Sequence, residues 1–217
     1  MAIPSGPDDR PPITPGPYPS GLDVDEQLRD GSHVQVRPIR ESDGPAMTAF
    51  HETLSPRSVY RRFFFAHPRL SPGEVERFIH VDYVDRMAYV VTDDERIVGV
   101  GRYERLVGTD QAEVAFVVTD AYQRRGIGPL LLDHLAEVAR GHGIHRFVAQ
   151  TLSENRDMLG IFLTSGFPVD TTSDGGTVSV QFPIDACDEY VQARERRRTR
   201  AALGTASPDG PEHLPGR

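Results

Sequence analysis

Residues 112–134 constrain the fold more than any other part of this chain. They begin with an apolar run typical of a β-strand (113–118), pass through a turn (119–122), and end in a glycine-containing loop that leads into an apolar helix. A loop that joins a strand to a helix N-terminus can bind an anion, because the first helical amides are unpaired and the helix dipole favours negative charge. The order of elements therefore predicts a phosphate-binding loop at residues 123–128.

The loop itself has the residue types that a phosphate site needs. Gly126 and Gly128 allow a ligand to approach the backbone closely, and Arg124 and Arg125 supply positive charge. Taken alone, the hexapeptide is also consistent with an ordinary glycine-containing turn between a strand and a helix. The residues around it are needed to decide between the two interpretations.

Two well-known phosphate loops do not fit this sequence. The dinucleotide-binding fingerprint needs a third glycine three positions after Gly128, where the chain has Leu131. A P-loop needs Gly-Lys followed by Ser or Thr, and all 24 basic residues of this chain are arginine. What remains is the pattern Gln-x-x-Gly-x-Gly, which begins at Gln123 directly after a strand.

Composition argues against several classes of protein. The net charge of −8 argues against a nucleic-acid-binding protein, which needs broad neutralisation of phosphates. The single cysteine excludes an internal disulfide framework and suits a reducing cytoplasm, where we expect the protein to be located. No apolar run reaches the length of a membrane span, no signal peptide is recognisable, and the eight histidines have no metal-ligand spacing. We therefore expect neither membrane attachment nor a bound metal.

The sequence divides into one domain and two polar ends. Residues 1–31 are dominated by Pro, Gly, Asp and Ser and bury too little apolar surface to offset the entropy of ordering, so we predict disorder there. The folded domain is predicted at residues 32–185. Residues 186–217 begin as a charged helix and continue into a Gly/Pro/Asp-rich tail that is also expected to be disordered.

Periodicity and cap residues predict the elements of the domain. Ser55 and Ser71 each precede a proline, which is the pattern of a helix N-cap followed by Pro at the first helical position, and Ser42 and Asp43 offer further N-caps. In chain order we expect a strand (33–39), three helices (42–54, a short one after Ser55, and 71–80), a hairpin (87–91 with 97–103), a strand (113–118), a helix (129–142), a strand (147–152), a helix (155–166) and a last strand (178–182). The strands at 113–118 and 147–152 should be parallel and joined by a right-handed crossover.

Several of these stretches together resemble the GNAT N-acetyltransferases. Residues 37–39 (Arg-Pro-Ile) resemble the family's first strand, residues 123–128 its acyl-CoA pyrophosphate loop, and Asn155 with Gly166 and Phe167 its downstream helix. Within the family, residues 54–63, 81–83 and 112–116 are similar to the acetyltransferase domain of bacterial Pat-like protein lysine acetyltransferases. The resemblance covers residues 33–185.

This resemblance implies an α/β fold whose mixed sheet is splayed between two parallel strands, with acetyl-CoA as co-substrate in the opening. The pantetheine arm would bond the backbone of residues 116–118 like an added strand, and the pyrophosphate would lie on the amides of residues 124–130. The residues so assigned to the cofactor are Phe116, Val117, Val118, Gln123, Arg124, Arg125, Gly126, Ile127, Gly128, Leu130 and Asn155. Two positions depart from the pattern: Pro129 has no N–H to donate, and Phe162 stands where many members have a tyrosine that protonates the leaving thiolate.

Acetyl transfer to an amine also needs a proton acceptor. A lysine side chain has a pKa of about 10.4, so nearly all of it is protonated at pH 7, and a carboxylate can remove that proton. Glu113 is our candidate, since strand alternation places it on the same face as Ala115 and Val117 and the Ala-Glu-Val-Ala-Phe run resembles the Pat-like domain. Glu104 and Glu154 are weaker alternatives.

Three functions remain open from the sequence. The first is acetylation of a lysine on a protein substrate, the second acetylation of a small amine, and the third a non-catalytic domain that senses acyl-CoA. The acceptor depends on loops and helices that vary within one fold, so the fold does not decide between them.

Overall fold

The computed structural model describes residues 14–203. The strands are β1 (Val24–Gln27), β2 (His33–Pro38), β3 (Arg86–Asp93), β4 (Arg96–Arg105), β5 (Gln111–Val118), β6 (Arg146–Leu152), β7 (Asp170–Asp174) and β8 (Thr177–Pro183). The helices are α1 (Gly44–Glu52), α2 (Pro56–Phe63), α3 (Pro72–Ile79), α4 (Ile127–Gly141), α5 (Arg156–Leu163) and α6 (Asp188–Ala202). Within the described residues the strands form one sheet in the order β1-β2-β3-β4-β5-β6-β8-β7.

The cap residues begin the helices as the sequence predicts, with one exception. Ser55 and Ser71 accept hydrogen bonds from the third backbone amide of α2 and α3, and Ser71 forms a capping box with Glu74. Asp43 precedes α1 but forms no side-chain cap. Its buried carboxylate is instead held by the Arg37 guanidinium, with both N···O distances 2.8 Å, so this residue joins β2 to the start of α1.

The central hairpin carries helices on both of its faces. Asp94 and Glu95 turn the chain between β3 and β4 with φ values of 45° and 69°. On one face α4 lies close to β4 because that strand has glycines there: a Cβ at Gly99 would be 2.9 Å from Ile127, and one at Gly101 would be 3.1 Å from Leu131. The opposite face packs against α1 to α3.

The sheet contains one parallel pair, as predicted for residues 113–152. β5 and β6 are paired only from Gln111–Arg146 to Glu113–Val148, and beyond Glu113 no further pairing joins the two strands. The other edge of β5 stays fully paired with β4 up to Val118. One edge of the β5 backbone is therefore left open along residues 114–118, and this opening positions the site.

Several elements of the described chain differ from the sequence-based expectations. Residues 24–27, inside the segment predicted to be disordered, form β1 and pair with β2, and Leu28 beside them is buried. β7 was not predicted, because its five residues are all exposed and polar. α4 begins at Ile127, two residues before the predicted start at 129. The disorder predicted for residues 1–13 and 204–217 lies outside the described residues.

Candidate active site

A cavity of about 500 Å³ occupies the opening beside β5. Its walls are the end of β5 (residues 116–118), the loop at residues 123–128 with the start of α4, and the first turns of α5. We call it the loop cavity. It is the place where the splayed strands leave backbone groups of β5 without a partner strand.

The loop has the backbone geometry of an anion site. Arg124 and Gly126 both have positive φ, 64° and 103°, which turns the chain so that α4 can start directly at Ile127. The amides of Ile127 and Gly128 open the helix, whereas the amide of Leu130 already donates to the Gly126 carbonyl at 3.2 Å. A Cβ at Gly128 would lie 2.3 Å from Cδ1 of Ile161, so a side chain at this position would make the Ile161 side chain move.

Nine of the eleven residues assigned to the cofactor line the loop cavity: Phe116, Val117, Val118, Gln123, Arg124, Gly126, Ile127, Gly128 and Asn155. Arg125 and Leu130 do not. The Arg125 guanidinium forms an ion pair with Asp30 at 3.2 Å and lies over the Tyr122 ring at 4.6 Å. Leu130 borders a separate small cavity beside Arg125 and α6.

A hydrogen-bond network ties α2 to the loop cavity. The Asp120 carboxylate accepts from the Ser55 hydroxyl at 2.8 Å and from the Ser58 hydroxyl at 3.0 Å. Burial raises the pKa of Asp120, but its hydrogen bonds from these two serines outweigh that and hold the pKa below its usual range. The Gln123 amide nitrogen donates to Ser58 and to the Val118 carbonyl, both at 3.1 Å, so Gln123 fixes the loop to its neighbours.

Asn155 lies at the other wall of the loop cavity as the N-cap of α5. Its side-chain oxygen accepts from the Met158 amide at 3.3 Å, and the residue is 4% exposed. Within residues 14–203 its side-chain nitrogen donates no hydrogen bond, which leaves that donor for a ligand.

Arg29 is a wall residue that the sequence analysis missed. It follows β1, and its side chain passes 3.4 Å from where a Cβ at Gly126 would be. Its backbone amide donates to the Arg125 carbonyl at 3.1 Å. Burial is the main cause that lowers the pKa of Arg29, and the nearby positive charges of Arg200 and Arg197 lower it further. The apolar Leu28 next to it was the available signal that this segment could dock on the domain.

A second cavity of about 800 Å³ lies between α2, α3, β5, β6 and α5. We call it the wide cavity. Six aromatic residues line it: Phe63, Phe64, Phe65, Phe78, Phe116 and Phe162. Its ionisable residues are Arg61, Arg62, His67, Glu74, Arg77 and Glu113.

Glu113 and Glu74 are the carboxylates of the wide cavity, and they differ in their surroundings. Glu74 is occupied by the Ser71 capping box and by His67 at 3.1 Å. The Glu113 side chain, half-buried on β5, forms no hydrogen bond or ion pair with any residue in the described range 14–203. It interacts electrostatically with Arg62. Burial lowers the pKa of the Arg62 guanidinium, and the negative charge of Glu113 opposes that effect.

The two alternative bases lie elsewhere. Glu104 faces Glu113 across the β4–β5 pair but forms an ion pair with Arg86 at 2.5 Å. Glu154 is exposed on the turn before α5 and lines neither cavity. Of the three carboxylates considered from the sequence, Glu113 is therefore the one in the wide cavity.

The two cavities meet at shared residues. Arg61, Arg62, Phe116 and Met158 line both, so a ligand in the loop cavity and a ligand in the wide cavity can approach each other at this junction. Such an arrangement suits a group transfer between two substrates. Residues 54–167 match the Acetyltransferase (GNAT) family.

The chain belongs to the GNAT family. It is 33% identical to an acetyltransferase of Pseudomonas aeruginosa over 70% of this chain and 84% of that protein. It is 31% identical to the acetyltransferase Pat of Mycolicibacterium smegmatis over 75% of this chain, and it spans 49% of that protein's length. The GNAT domain of S. lividans PAT superposes with a TM-score of 0.73 at 39% identity, covering 77% of this chain and 99% of that domain.

Membership of the GNAT family identifies this chain as an acyl-CoA N-acyltransferase and confirms the α/β fold expected from the sequence. Phe162 is 1% exposed and packs between Phe116 and Phe182, so an apolar ring stands at the position that the resemblance associates with a proton donor. Within residues 14–203 no three His, Cys, Asp or Glu side chains are grouped as metal ligands. None of the helices there combines the length and the apolar character needed to cross a membrane.

Proposed function

We propose that this GNAT enzyme transfers the acetyl group of acetyl-CoA to a lysine side chain of a protein, with Glu113 as the general base. The observation that carries the proposal is the place of Glu113. Of the two carboxylates that line the wide cavity, it is the one that forms no hydrogen bond or ion pair with any residue from 14 to 203. It lies on β5 three residues before Phe116, where the two cavities meet.

The loop cavity suits the cofactor. The amides at Ile127 and Gly128 point from a helix N-terminus, and Arg124 and Arg29 add positive charge where a pyrophosphate would bind. The open edge of residues 116–118 offers backbone groups to the amides of a pantetheine arm. These residues fit acetyl-CoA as a substrate.

The chemistry that follows is a direct transfer. Glu113, directly or through a water, accepts a proton from the acceptor ammonium, and the neutral nitrogen attacks the thioester carbon. A C–N bond forms and the C–S bond breaks. The nitrogen then gives its second proton to water, and the leaving thiolate takes a proton from water to become CoA, since Phe162 has none to give.

Two observations favour a protein lysine as the acceptor. The wide cavity lies against α2 and α3 and has a volume of about 800 Å³, enough for an extended side chain and the residues beside it. The relatives in Mycolicibacterium smegmatis and S. lividans are Pat enzymes, and the 54–63 stretch that resembles them forms α2, which is a wall of that cavity.

Incubation with acetyl-CoA and a cell lysate, followed by mass spectrometry of proteins and metabolites, tests the proposed function. We expect new acetyl-lysines on lysate proteins. This chain has no lysine, so acetyl-lysines cannot come from self-modification, and intact mass should show at most one acetyl group, on its N-terminal amine. Acetylated metabolites without acetyl-lysines would indicate an enzyme that acetylates small amines. If neither kind of product formed, the remaining function would be a non-catalytic domain that senses acyl-CoA.

Replacing Arg29 with Gln tests the part of the cofactor site that comes from the N-terminal segment. Removing one charged hydrogen bond to a phosphate should weaken acetyl-CoA binding about 10-fold, or about 1.4 kcal/mol. The loss should shrink as salt is added, because salt screens the lost attraction. Calorimetry of the exposed Arg69→Gln variant provides the control. Equal affinity in the two variants would show that Arg29 does not touch the cofactor.

A further inference from the structure

Arg62 is an arginine of the wide cavity whose N–H donors are not used. The preceding residue, Arg61, forms an ion pair with Asp157 at the start of α5, with an N···O distance of 3.4 Å. Arg62, the next residue, forms no hydrogen bond or ion pair with any other residue from 14 to 203, and its guanidinium lies 5.1 Å from the Phe63 ring. A guanidinium has five N–H donors, and those of Arg62 are available to a ligand in the wide cavity.

The surroundings of Arg62 carry an excess of positive charge. Arg102 lies on β4 beneath α2 and α3 and is half-buried. Its pKa is lowered to about 10, and burial is the largest cause. Glu104 opposes this effect, whereas Arg62, Arg77 and Arg86 add to it. This side of the sheet therefore has four arginines and three glutamates, Glu74, Glu104 and Glu113, so positive charge is in excess there although the chain as a whole has a net charge of −8.

This excess matters for the acceptor. A lysine ammonium entering alone would add another positive charge near Arg62, and two like charges repel more strongly in a partly buried cavity than in water. A carboxylate arriving with the amine would remove that repulsion and accept hydrogen bonds from the guanidinium. The aromatic walls of the cavity would strengthen the contact by excluding water.

We propose that the acceptor of this enzyme is an amine that carries a carboxylate close by, and that Arg62 receives the carboxylate while Glu113 takes the amine proton. This inference rests on the acetyl transfer and the Glu113 base of the proposed function, and it specifies the acceptor class. A free amino acid as the acceptor would overturn the protein lysine proposed above. The carboxylate comes either from an acidic residue beside the lysine of a protein segment or from the carboxyl group of a free amino acid.

Paired acceptors test the inference. One pair is two peptides with a single lysine that differ only in Glu or Gln at the neighbouring position, and the other pair is free lysine and lysinamide. In the pair that corresponds to the true acceptor, we expect kcat/KM to be about 10- to 100-fold higher for the member that carries the carboxylate. Hydrogen bonds between charged groups stabilise a complex by a factor of about this size. A preference within the peptide pair identifies a protein segment as the source, and one within the lysine pair identifies a free amino acid.

Variants of Arg62 then assign the preference to its guanidinium. In Arg62→Gln the preference should fall to within about 3-fold, and in Arg62→Lys, which keeps the charge but not the two-pronged geometry, it should be intermediate. Arg57→Gln, an exposed change on the same helix, should keep the full preference. An unchanged thermal unfolding midpoint in each variant verifies that the fold is intact.

The failures of the two proposals can be told apart. A parent enzyme that acetylates both members of each pair equally well refutes the carboxylate requirement and leaves lysine acetylation standing. A full preference in Arg62→Gln also refutes the inference, because another group would then hold the carboxylate. If none of the four acceptors nor any lysate protein is acetylated, the proposed function itself is wrong and the inference falls with it.

Discussion

Replacing Glu113 with Gln should lower turnover by about 10² to 10⁴-fold, the usual contribution of a general base. Gln keeps the size and the hydrogen-bonding ability of the side chain but cannot accept the proton. Acetyl-CoA affinity should stay the same, because Glu113 lines the wide cavity and not the loop cavity. Steady-state kinetics and calorimetry on one protein preparation measure both quantities.

The pH dependence separates a base from a structural residue. As pH rises toward the acceptor's pKa of about 10.4, more of the amine arrives neutral, so the loss in Glu113→Gln should become smaller. Glu154→Gln is the matched control, since this exposed carboxylate lies outside both cavities and its loss should leave the rates unchanged. Full activity in Glu113→Gln would make Glu113 a bystander, and a loss that follows weaker acetyl-CoA binding would make its role structural.

Replacing Gly128 with Glu should weaken acetyl-CoA binding by at least about 100-fold. The new Cβ would lie 2.3 Å from Cδ1 of Ile161, which also lines the loop cavity, so the wall must shift. The added carboxylate would face the pyrophosphate, and at about 5 Å such a pair repels by about 3 kcal/mol at an effective dielectric constant of about 20.

The matched control for this change is Gly141→Glu at the other end of α4. A Cβ at Gly141 meets nothing within 4 Å, and Gly141 is the last residue of α4, whereas the loop cavity lies at the first residues of that helix. Calorimetric titration should give the parent affinity for Gly141→Glu. If Gly128→Glu also binds acetyl-CoA like the parent, the loop cavity is not the cofactor site. Comparing the unfolding midpoints of the two variants separates loss of the site from loss of the fold.

Local sequence signals predicted the elements whose cause is local. The apolar run of β5 and the serines that cap α2 and α3 reflect backbone chemistry within a few residues, and all three elements formed where the pattern indicated. The strand–loop–helix order likewise predicted the loop cavity, since the amides at a helix N-terminus are unpaired in any tertiary context. Burial alternates along β5, and Glu113, Ala115 and Val117 share its half-buried face, as alternation predicts.

The tertiary structure decided the rest. β1 and β7 are short, mostly polar strands, and each pairs with the next strand along the chain, so their own side chains carry little signal. Arg29 reaches the loop cavity only because β1 pairs with β2, and Arg125 turns away because Asp30 and Tyr122 attract it. The positive surroundings of Glu113 also come from residues on α2, α3, β3 and β4. Charges add up in space, so only the tertiary structure determined which arginines lie near this carboxylate.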